Sequence, residues 1–175
     1  MKRIALILAL SAAPALTFAA GQNTITFTGQ VSAQTCAVAV NGKAASPVIL
    51  MPTVSATALS AVGSTAGETS FTVSVTGCTA PSSSLAIKTA FLGNNVTSAG
   101  NLANAGTATN VQVQLLDAAG GSAVVLNGIT SVSGLTLASG ATSASHDFAV
   151  RYISEAGSAA AGTVSTTAQY ALDYL

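Results

Sequence analysis

The side chains that could carry chemistry are few in this sequence of 175 residues: two cysteines, one histidine and five carboxylates. His146 stands beside Asp147 at the head of an alternating apolar run, and such a pair is far more often an exposed strand end than a catalytic dyad. The sequence contains no third partner for a triad, no cluster with metal-ligand spacing and no glycine-rich phosphate loop. We therefore expect a protein that is not an enzyme and that uses neither a metal nor a cofactor.

The first residues have the layout of a secretory signal peptide. Lys2 and Arg3 form a basic start, a mostly apolar run follows, and small residues come next. The apolar run is too short to span a membrane. Small residues at the last and third-last positions favour a signal peptide of residues 1–19, with cleavage after Ala20 as the alternative.

The two cysteines, Cys36 and Cys78, are predicted to form one disulfide. An even number of cysteines is typical of disulfide bonding in exported proteins. The alternatives are a metal pair or a nucleophile, but the sequence has no Cys-x-x-Cys motif. A disulfide that closes a loop of about 42 residues stabilises a fold by about 4 kcal/mol on the chain-entropy estimate.

The charge balance excludes some classes of partner. Without the signal peptide, three basic and five acidic side chains remain, which is too little positive charge to hold nucleic acid or an anionic membrane. Only 6% of all residues are charged, and a soluble monomer usually carries more charge than this. The composition therefore indicates no nucleic-acid partner and favours self-association.

Short alternating apolar runs predict an antiparallel β-sandwich. The clearest sets are Phe71, Val73 and Val75; Val111, Val113 and Leu115; and Phe148, Val150 and Tyr152. Val48–Met51 and Leu85–Phe91 are two further predicted strands, and residues 156–162 are predicted to be a loop. Turn signals such as Asn41-Gly42 separate the runs. Many short strands at this spacing are typical of a sandwich.

The stretch TITFTGQVSA, which begins at Thr24, alternates apolar and polar residues as a half-buried strand does. Its apolar face is Ile25, Phe27, Gly29 and Val31. Gly29 leaves a gap where a strand normally carries bulk. The next run, Cys36, Val38 and Val40, has the opposite phase, which one strand with one buried face cannot accommodate. We therefore place a hinge at Gln34-Thr35, between an extension (20–33) and a domain (34–175).

The last predicted strand is the longest and has no later strand in the sequence to pair with. The residues on one of its faces are Val164, Thr166, Ala168, Tyr170, Leu172 and Tyr174. We therefore expect an open sheet edge along this strand.

These features together resemble the major fimbrial subunits (pilins) of the chaperone–usher pathway, of the type 1-like kind. The resemblance covers the signal peptide, GQNTITFTGQVSAQTCAV, the two cysteines, the stretch NVQVQLLDAAGGSAVVLNG and the ending AQYALDYL. Gly29, the penultimate aromatic residue Tyr174 and Gly162, fourteenth from the end, match the family pattern. Leu175 departs from it, because many relatives end in a polar residue.

The resemblance implies an incomplete immunoglobulin-like sandwich that lacks its last strand. A groove would run along the carboxyl-terminal strand, and its implied chaperone-binding and groove residues are Gly162, Val164, Ala168, Tyr170, Leu172 and Tyr174. A periplasmic chaperone would fill the groove first. At the outer-membrane usher, the amino-terminal extension of the next identical or related subunit would replace the chaperone by donor-strand exchange.

The implied function is structural: a subunit exported through the periplasm to a cell-surface fimbria that supports bacterial adhesion. Ile25, Phe27 and Val31 would fill pockets in a neighbour's groove, contributing about 6 kcal/mol by burial. Gly29 would lie where that groove is too shallow for a side chain.

Three alternatives stay open from the sequence. The stretch TITFTGQVSA could be a first strand of its own domain, with a bulge at Gly29. The protein could be a minor tip or adaptor subunit, or an adhesin-like binding module, although an adhesin of this pathway would have a second domain. It could also be a secreted hydrolase on a sandwich scaffold, but the residues for catalysis are missing.

Overall fold

A computed structural model describes Gln34 and residues 36–174. The predicted signal peptide (1–19) and extension (20–33) lie outside the described residues. The described part contains nine strands: β1 Ala37–Val40, β2 Ser64–Thr76, β3 Leu85–Gly93, β4 Leu102–Ala103, β5 Gln112–Leu116, β6 Ala123–Val124, β7 Thr130–Leu137, β8 Ala144–Ser154 and β9 Ala168–Tyr174.

The strands form two antiparallel sheets. The larger sheet has the order β1-β2-β8-β5-β4, with β6 also paired to β5, and the smaller sheet has the order β7-β3-β9. Phe71 of β2 lies opposite Phe148 of β8, and Phe91 of β3 lies opposite Tyr170 of β9. The predicted antiparallel sandwich is therefore confirmed for the described residues.

The core between the sheets is centred on Phe148, which is completely buried. Its ring stacks on Phe71 of the same sheet, with ring centroids 5.7 Å apart, and makes a T-shaped contact with Phe91 of the smaller sheet, with centroids 5.1 Å apart. Such aromatic contacts stabilise beyond the area that they bury. Alternation along β2 and β3 brings the apolar side chains to this shared layer, as the sequence pattern predicts.

β1 and β9 are edge strands of the larger and the smaller sheet, respectively. The turn after β1 is Asn41-Gly42, and both residues have positive φ, at 48° and 73°. This conformation is one that Asn and Gly adopt readily. β9 pairs with β3 on one side only, which makes it an edge strand of the smaller sheet.

Two predicted strands differ in the structure. Val48–Met51 alternates, with Ile49 and Met51 packed against the core, but it is not a strand because no neighbouring strand in the described part pairs with it. The final strand begins at Ala168 rather than Val164, since residues 163–167 pair with a loop instead of with β3.

The predicted absence of regular helix in residues 156–162 is confirmed, since this segment is bends and irregular chain. A short 3₁₀ turn, Ala56–Leu59, is capped by the hydroxyl of Ser55, which accepts a hydrogen bond from Thr57 N. In the part of the chain that the structure describes, no helix has the length and apolar character needed to cross a membrane.

Candidate functional site

A disulfide joins Cys36, just before β1, to Cys78, just after β2. The predicted pairing is confirmed. It clamps the edge strand β1 to β2, alongside the register that pairs Ala37 with Thr76. The loop that it closes contains all of residues 44–54, the segment that forms one side of the site described next.

An open groove of about 730 Å³ lies between the two sheets along one side of the sandwich. One side of the groove is formed by residues from 163–174, which we call the paired wall. The opposite side is formed by residues from 44–54, which we call the unpaired wall. The groove is lined by Val40, Ser46, Pro47, Val48, Ile49, Leu50, Met51, Phe71, Phe91, Leu102, Val113, Leu115, Val150, Tyr152, Val164, Ser165, Thr166, Thr167, Ala168 and Tyr170.

The paired wall is held by backbone hydrogen bonds on the side away from the groove. Thr167 O accepts from Asn94 N at 3.3 Å, Ser165 O from Ala105 N at 2.8 Å, and Thr163 O from Ala108 N at 3.0 Å. In extended chain, successive residues direct their backbone groups to opposite sides. The N–H and C=O groups of Val164, Thr166 and Ala168 therefore face the groove. The register of β9 on β3 continues this alternation to Tyr174.

The unpaired wall has no hydrogen bond, in either direction, to any residue that the structure describes. Its backbone is irregular at Ser46, which has φ +47°, and from Val48 to Met51 the side chains alternate. Ile49 and Met51 pack against the core, whereas Val48 and Leu50 are 84% and 88% exposed. Backbone groups without partners are available to another strand, as they are along a sheet edge, although Pro47 and Pro52 offer only acceptors.

The floor of the groove is apolar. It consists of core side chains that include Phe71, Phe91 and Val113. Tyr152 lies at one end, where it also lines a second cavity of about 410 Å³. Burial raises the pKa of the Tyr152 hydroxyl, which keeps it a neutral phenol.

A bulge in β2 makes room for this tyrosine. Gly67 has φ +64°, and a Cβ on it would lie 2.9 Å from the Val54 side chain and 3.0 Å from the ring of Tyr152. The absence of a side chain at Gly67 therefore lets the end of the unpaired wall and Tyr152 pack together.

The six groove residues named from the sequence fall into three groups. Val164, Ala168 and Tyr170 line the groove. Gly162 lines the second cavity, while Leu172 and Tyr174 are partly buried and packed against the core. The structure explains the glycine, because a Cβ at position 162 would collide with the backbone of Thr107 and Ala108. The four extension residues, Ile25, Phe27, Gly29 and Val31, lie outside the described residues.

Asn104 is a site residue that the sequence reasoning missed. Its side-chain amide contacts the backbone of the paired wall and of its own loop. The sequence around Asn104 lacks the alternation of apolar and polar residues that predicts the strands. The only signal is an asparagine two residues before a glycine, which is typical of a side chain that closes a turn on its own backbone.

The contacts of His146 are those of a packed side chain and not of a catalytic dyad with Asp147. Its Nε2 lies 2.8 Å from Asp117 O, and its ring meets the edge of Phe148 at 4.6 Å. The neighbouring Asp147 accepts a hydrogen bond from the Thr72 hydroxyl instead of contacting the imidazole. Among the described residues, no group of three or more His, Cys, Asp and Glu side chains could hold a metal ion.

Comparisons with known proteins agree on one family. The family model for fimbrial proteins matches residues 25–175. The F17 fimbrial protein of Escherichia coli is 34% identical over 182 aligned residues, which cover 99% of each chain. The major fimbrial subunit SMF-1 of Stenotrophomonas maltophilia (strain K279a) is 39% identical over 115 residues, which cover 61% of this chain and 63% of the relative.

The fold is shared with a solved chaperone–usher pilus whose structure was used to explain rod uncoiling. The two superpose with a TM-score of 0.60 at 21% sequence identity, over 93% of this chain and 100% of the other. This likeness confirms the predicted incomplete immunoglobulin-like sandwich for the described residues.

Proposed function

Since this chain belongs to the fimbrial protein family and is a structural subunit of a fimbria, we propose that its groove receives the amino-terminal extension of another copy. In this proposal Ile25, Phe27 and Val31 occupy the floor of the neighbour's groove, and Gly29 lies at a shallow point. Repetition of this contact from subunit to subunit builds the filament.

The observation that carries the proposal is the open groove with backbone groups facing it. The paired wall directs the N–H and C=O groups of Val164, Thr166 and Ala168 toward the groove. The unpaired wall has no backbone hydrogen bond to any described residue. A strand placed between the walls would pair with both. Each such hydrogen bond contributes about 0.5–1.5 kcal/mol net, and an exposed edge is removed.

The sequence of the extension suits an apolar groove of this kind. Its apolar residues are two positions apart, so all of them point to one side of a strand. From Ile25 to Val31 a strand spans about 20 Å. The floor, with Phe71 and Phe91, offers the apolar surface that these side chains need.

We propose that two transient partners act before the filament forms. An exposed groove along an apolar core is an aggregation hazard, and a periplasmic chaperone would cover it. An outer-membrane usher would then exchange the chaperone for the next subunit. The chain would travel through the periplasm to the cell surface, where fimbrial proteins form appendages. Its role there would be mechanical, in support of adhesion, and not catalytic.

We place the chain in the rod and not at the tip. The relative with 39% identity is named a major fimbrial subunit, and the low charge of this chain suits a protein that buries much of its surface against copies of itself. The minor tip or adaptor subunit stays the alternative.

The test uses a chain of residues 34–175 and a synthetic peptide of residues 24–33. A peptide present at a large excess over its Kd should raise the melting temperature by about 5–10 °C, because it binds only the folded groove. A control peptide with Phe27→Ser should give a clearly smaller rise, since it loses its largest apolar side chain. A melting temperature that does not change with the natural peptide would contradict the proposal.

A further inference from the structure

Asn104 makes four hydrogen bonds, all to backbone groups. Its Nδ2 donates to Ala108 O at 2.8 Å and Thr163 O at 3.2 Å, and its Oδ1 accepts from Gly106 N at 2.7 Å and Ser165 N at 2.9 Å. A side-chain amide has two N–H donors and two acceptor positions, and here all are used. The two carbonyl and two N–H partners also fix which way the amide faces.

These bonds lie where the paired wall has no sheet to support it. β9 pairs with β3 only from Ala168 onward. Upstream, the wall is held through Thr163 and Ser165, and Asn104 bonds to both. When Thr163 and Ser165 are bound on the outer side, Val164 between them directs its backbone groups to the groove. Asn104 thus supplies hydrogen bonds to the outer side of the wall at its start, as β3 does at its end.

The surrounding loop is fitted closely to the same segment. Thr163 N donates to the Thr107 hydroxyl at 2.9 Å. A Cβ on Gly106 would collide with the backbone of Thr163, and a Cβ on Gly162 would collide with Thr107 and Ala108. The loop and the wall therefore meet backbone to backbone. The Thr107 hydroxyl bonds to Thr163 alone, whereas the Asn104 amide bonds to two residues of the wall, Thr163 and Ser165.

We propose that Asn104 is a positioning residue for strand uptake. It holds the start of the paired wall in the extended form, so that the backbone groups of Val164 and Thr166 are aimed at the incoming strand before it arrives. This inference rests on the proposed function of the groove. It adds that the wall is preorganised by a loop side chain, which lowers the ordering cost that binding would otherwise include.

The test compares Asn104→Asp with a matched control, Asn94→Asp, in the full mature chain. The aspartate side chain has the same shape, but it presents an oxygen to the carbonyls of Ala108 and Thr163 in place of a donor. Asn94 lies on the same loop side of the wall, and its side-chain amide donates to the Thr167 hydroxyl at 2.7 Å. The substitution leaves the backbone bond from Asn94 N to Thr167 O in place, and an aspartate oxygen can accept from the same hydroxyl. The probe is the synthetic peptide of residues 24–33 with a fluorescent label. Every sample, including the parent, carries Phe27→Ser in its own extension, so that the extension competes only weakly with the labelled peptide for the groove.

Two quantities are measured: peptide affinity by fluorescence anisotropy, and amide exchange by NMR. Asn104→Asp should weaken peptide binding by about tenfold, the effect of losing one or two hydrogen bonds of ordinary strength. Peptide binding should no longer protect the amides of Val164 and Thr166, while the amide of Leu172 should be protected as in the parent chain. Asn94→Asp should match the parent chain in both measurements.

The outcomes separate the inference from the function on which it rests. If the parent chain does not bind the peptide, the proposed function fails and the inference fails with it. If the parent chain binds and Asn104→Asp binds equally well, only the inference is overturned. Equal loss of protection at Leu172 also overturns it, because Asn104 would then support the whole domain and not this part of the wall.

A second variant covers the case in which Asn104→Asp does not fold. Thr107 is exposed, and Thr107→Val removes the hydroxyl that accepts from Thr163 N and contacts the Thr163 hydroxyl. We expect a loss of affinity of about threefold, with lower protection at Val164, and recovery of both in Thr107→Ser. Parent-like affinity and exchange in Thr107→Val would overturn the inference.

Discussion

The two walls of the groove differ in what holds them. The paired wall is fixed along its length by β3, by the loop of residues 94–108 and by the Asn104 amide. The unpaired wall is fixed at its ends, by the turn that pairs Val40 with Lys43 and by the 3₁₀ turn capped by Ser55. Between these ends only inward side chains such as Ile49 and Met51 attach it to the core.

The difference indicates how the two walls take part in assembly. The paired wall presents an ordered row of backbone groups, as an existing strand edge does. In the proposed assembly, the unpaired wall would gain its first backbone partners when a strand arrives, and fixing its backbone would offset part of the binding free energy. We therefore expect changes near the paired wall to alter recognition, and changes in the unpaired wall to alter stability.

The largest expected effect comes from the disulfide, which closes the loop that contains the whole unpaired wall. Replacement of both Cys36 and Cys78 by serine should lower the free energy of unfolding by about 4 kcal/mol. Urea unfolding of the oxidised parent and of the variant, each bound to the 24–33 peptide, measures this. A loss below about 1 kcal/mol, far under the chain-entropy estimate, would show that the ends of the wall are held without the disulfide.

A smaller effect is expected at the end of the paired wall. Tyr174→Ala removes a large, partly buried side chain opposite Ile87 and should cost about 2 kcal/mol of stability. It should also lower the yield of the complex with a periplasmic chaperone, because the wall loses apolar surface. Tyr174→Phe, which keeps the ring, serves as the control and should retain more of the parent's yield than Tyr174→Ala. An unchanged yield of the chaperone complex from Tyr174→Ala would show that this side chain takes no part in chaperone binding.

The smallest expected effect is the difference in stability between substitutions on the inward and the outward face of the unpaired wall. Ile49→Ser should destabilise the domain by about 1–2 kcal/mol, since Ile49 is partly buried against the core. Leu50→Ser, one residue away, should change stability by less than about 0.5 kcal/mol because Leu50 is 88% exposed. The melting temperatures of the two variants give the comparison. Equal losses would mean that the wall is not oriented by its inward side chains.

The sequence predicts well the features that depend on alternation and on residue type. The β2, β3 and β8 runs, the sandwich and the Cys36–Cys78 bridge are confirmed. A period of two is a local signal, and two cysteines in one chain allow a single intramolecular pairing. Gly162 is identified from a family pattern alone. The structure supplies the physical reason, which is the close approach of its backbone to Ala108.

The remaining features depend on contacts that alternation does not encode. The run Val48–Met51 is apolar throughout, so the sequence shows neither which side chains face inward nor whether a strand lies beside it to supply hydrogen bonds. The start of β9 cannot be placed for the same reason, since Val164 alternates as Tyr170 does. Asn104 acts through backbone partners that are distant in the sequence, such as Thr163, which lies 59 positions away.

The central claim is that the extension of one copy fills the groove of another, and Gly29→Val tests it most directly. A side chain at a shallow point of the groove costs about 1–3 kcal/mol at every joint of the filament. Thr28→Val, on the polar face of the extension, is the matched control. Chaperone-bound monomer and surface filaments are quantified for the parent and both variants. We expect Gly29→Val to give normal chaperone-bound monomer with few or no filaments, and Thr28→Val to match the parent in both. Normal filaments from Gly29→Val, or loss of its chaperone-bound monomer, would contradict the account.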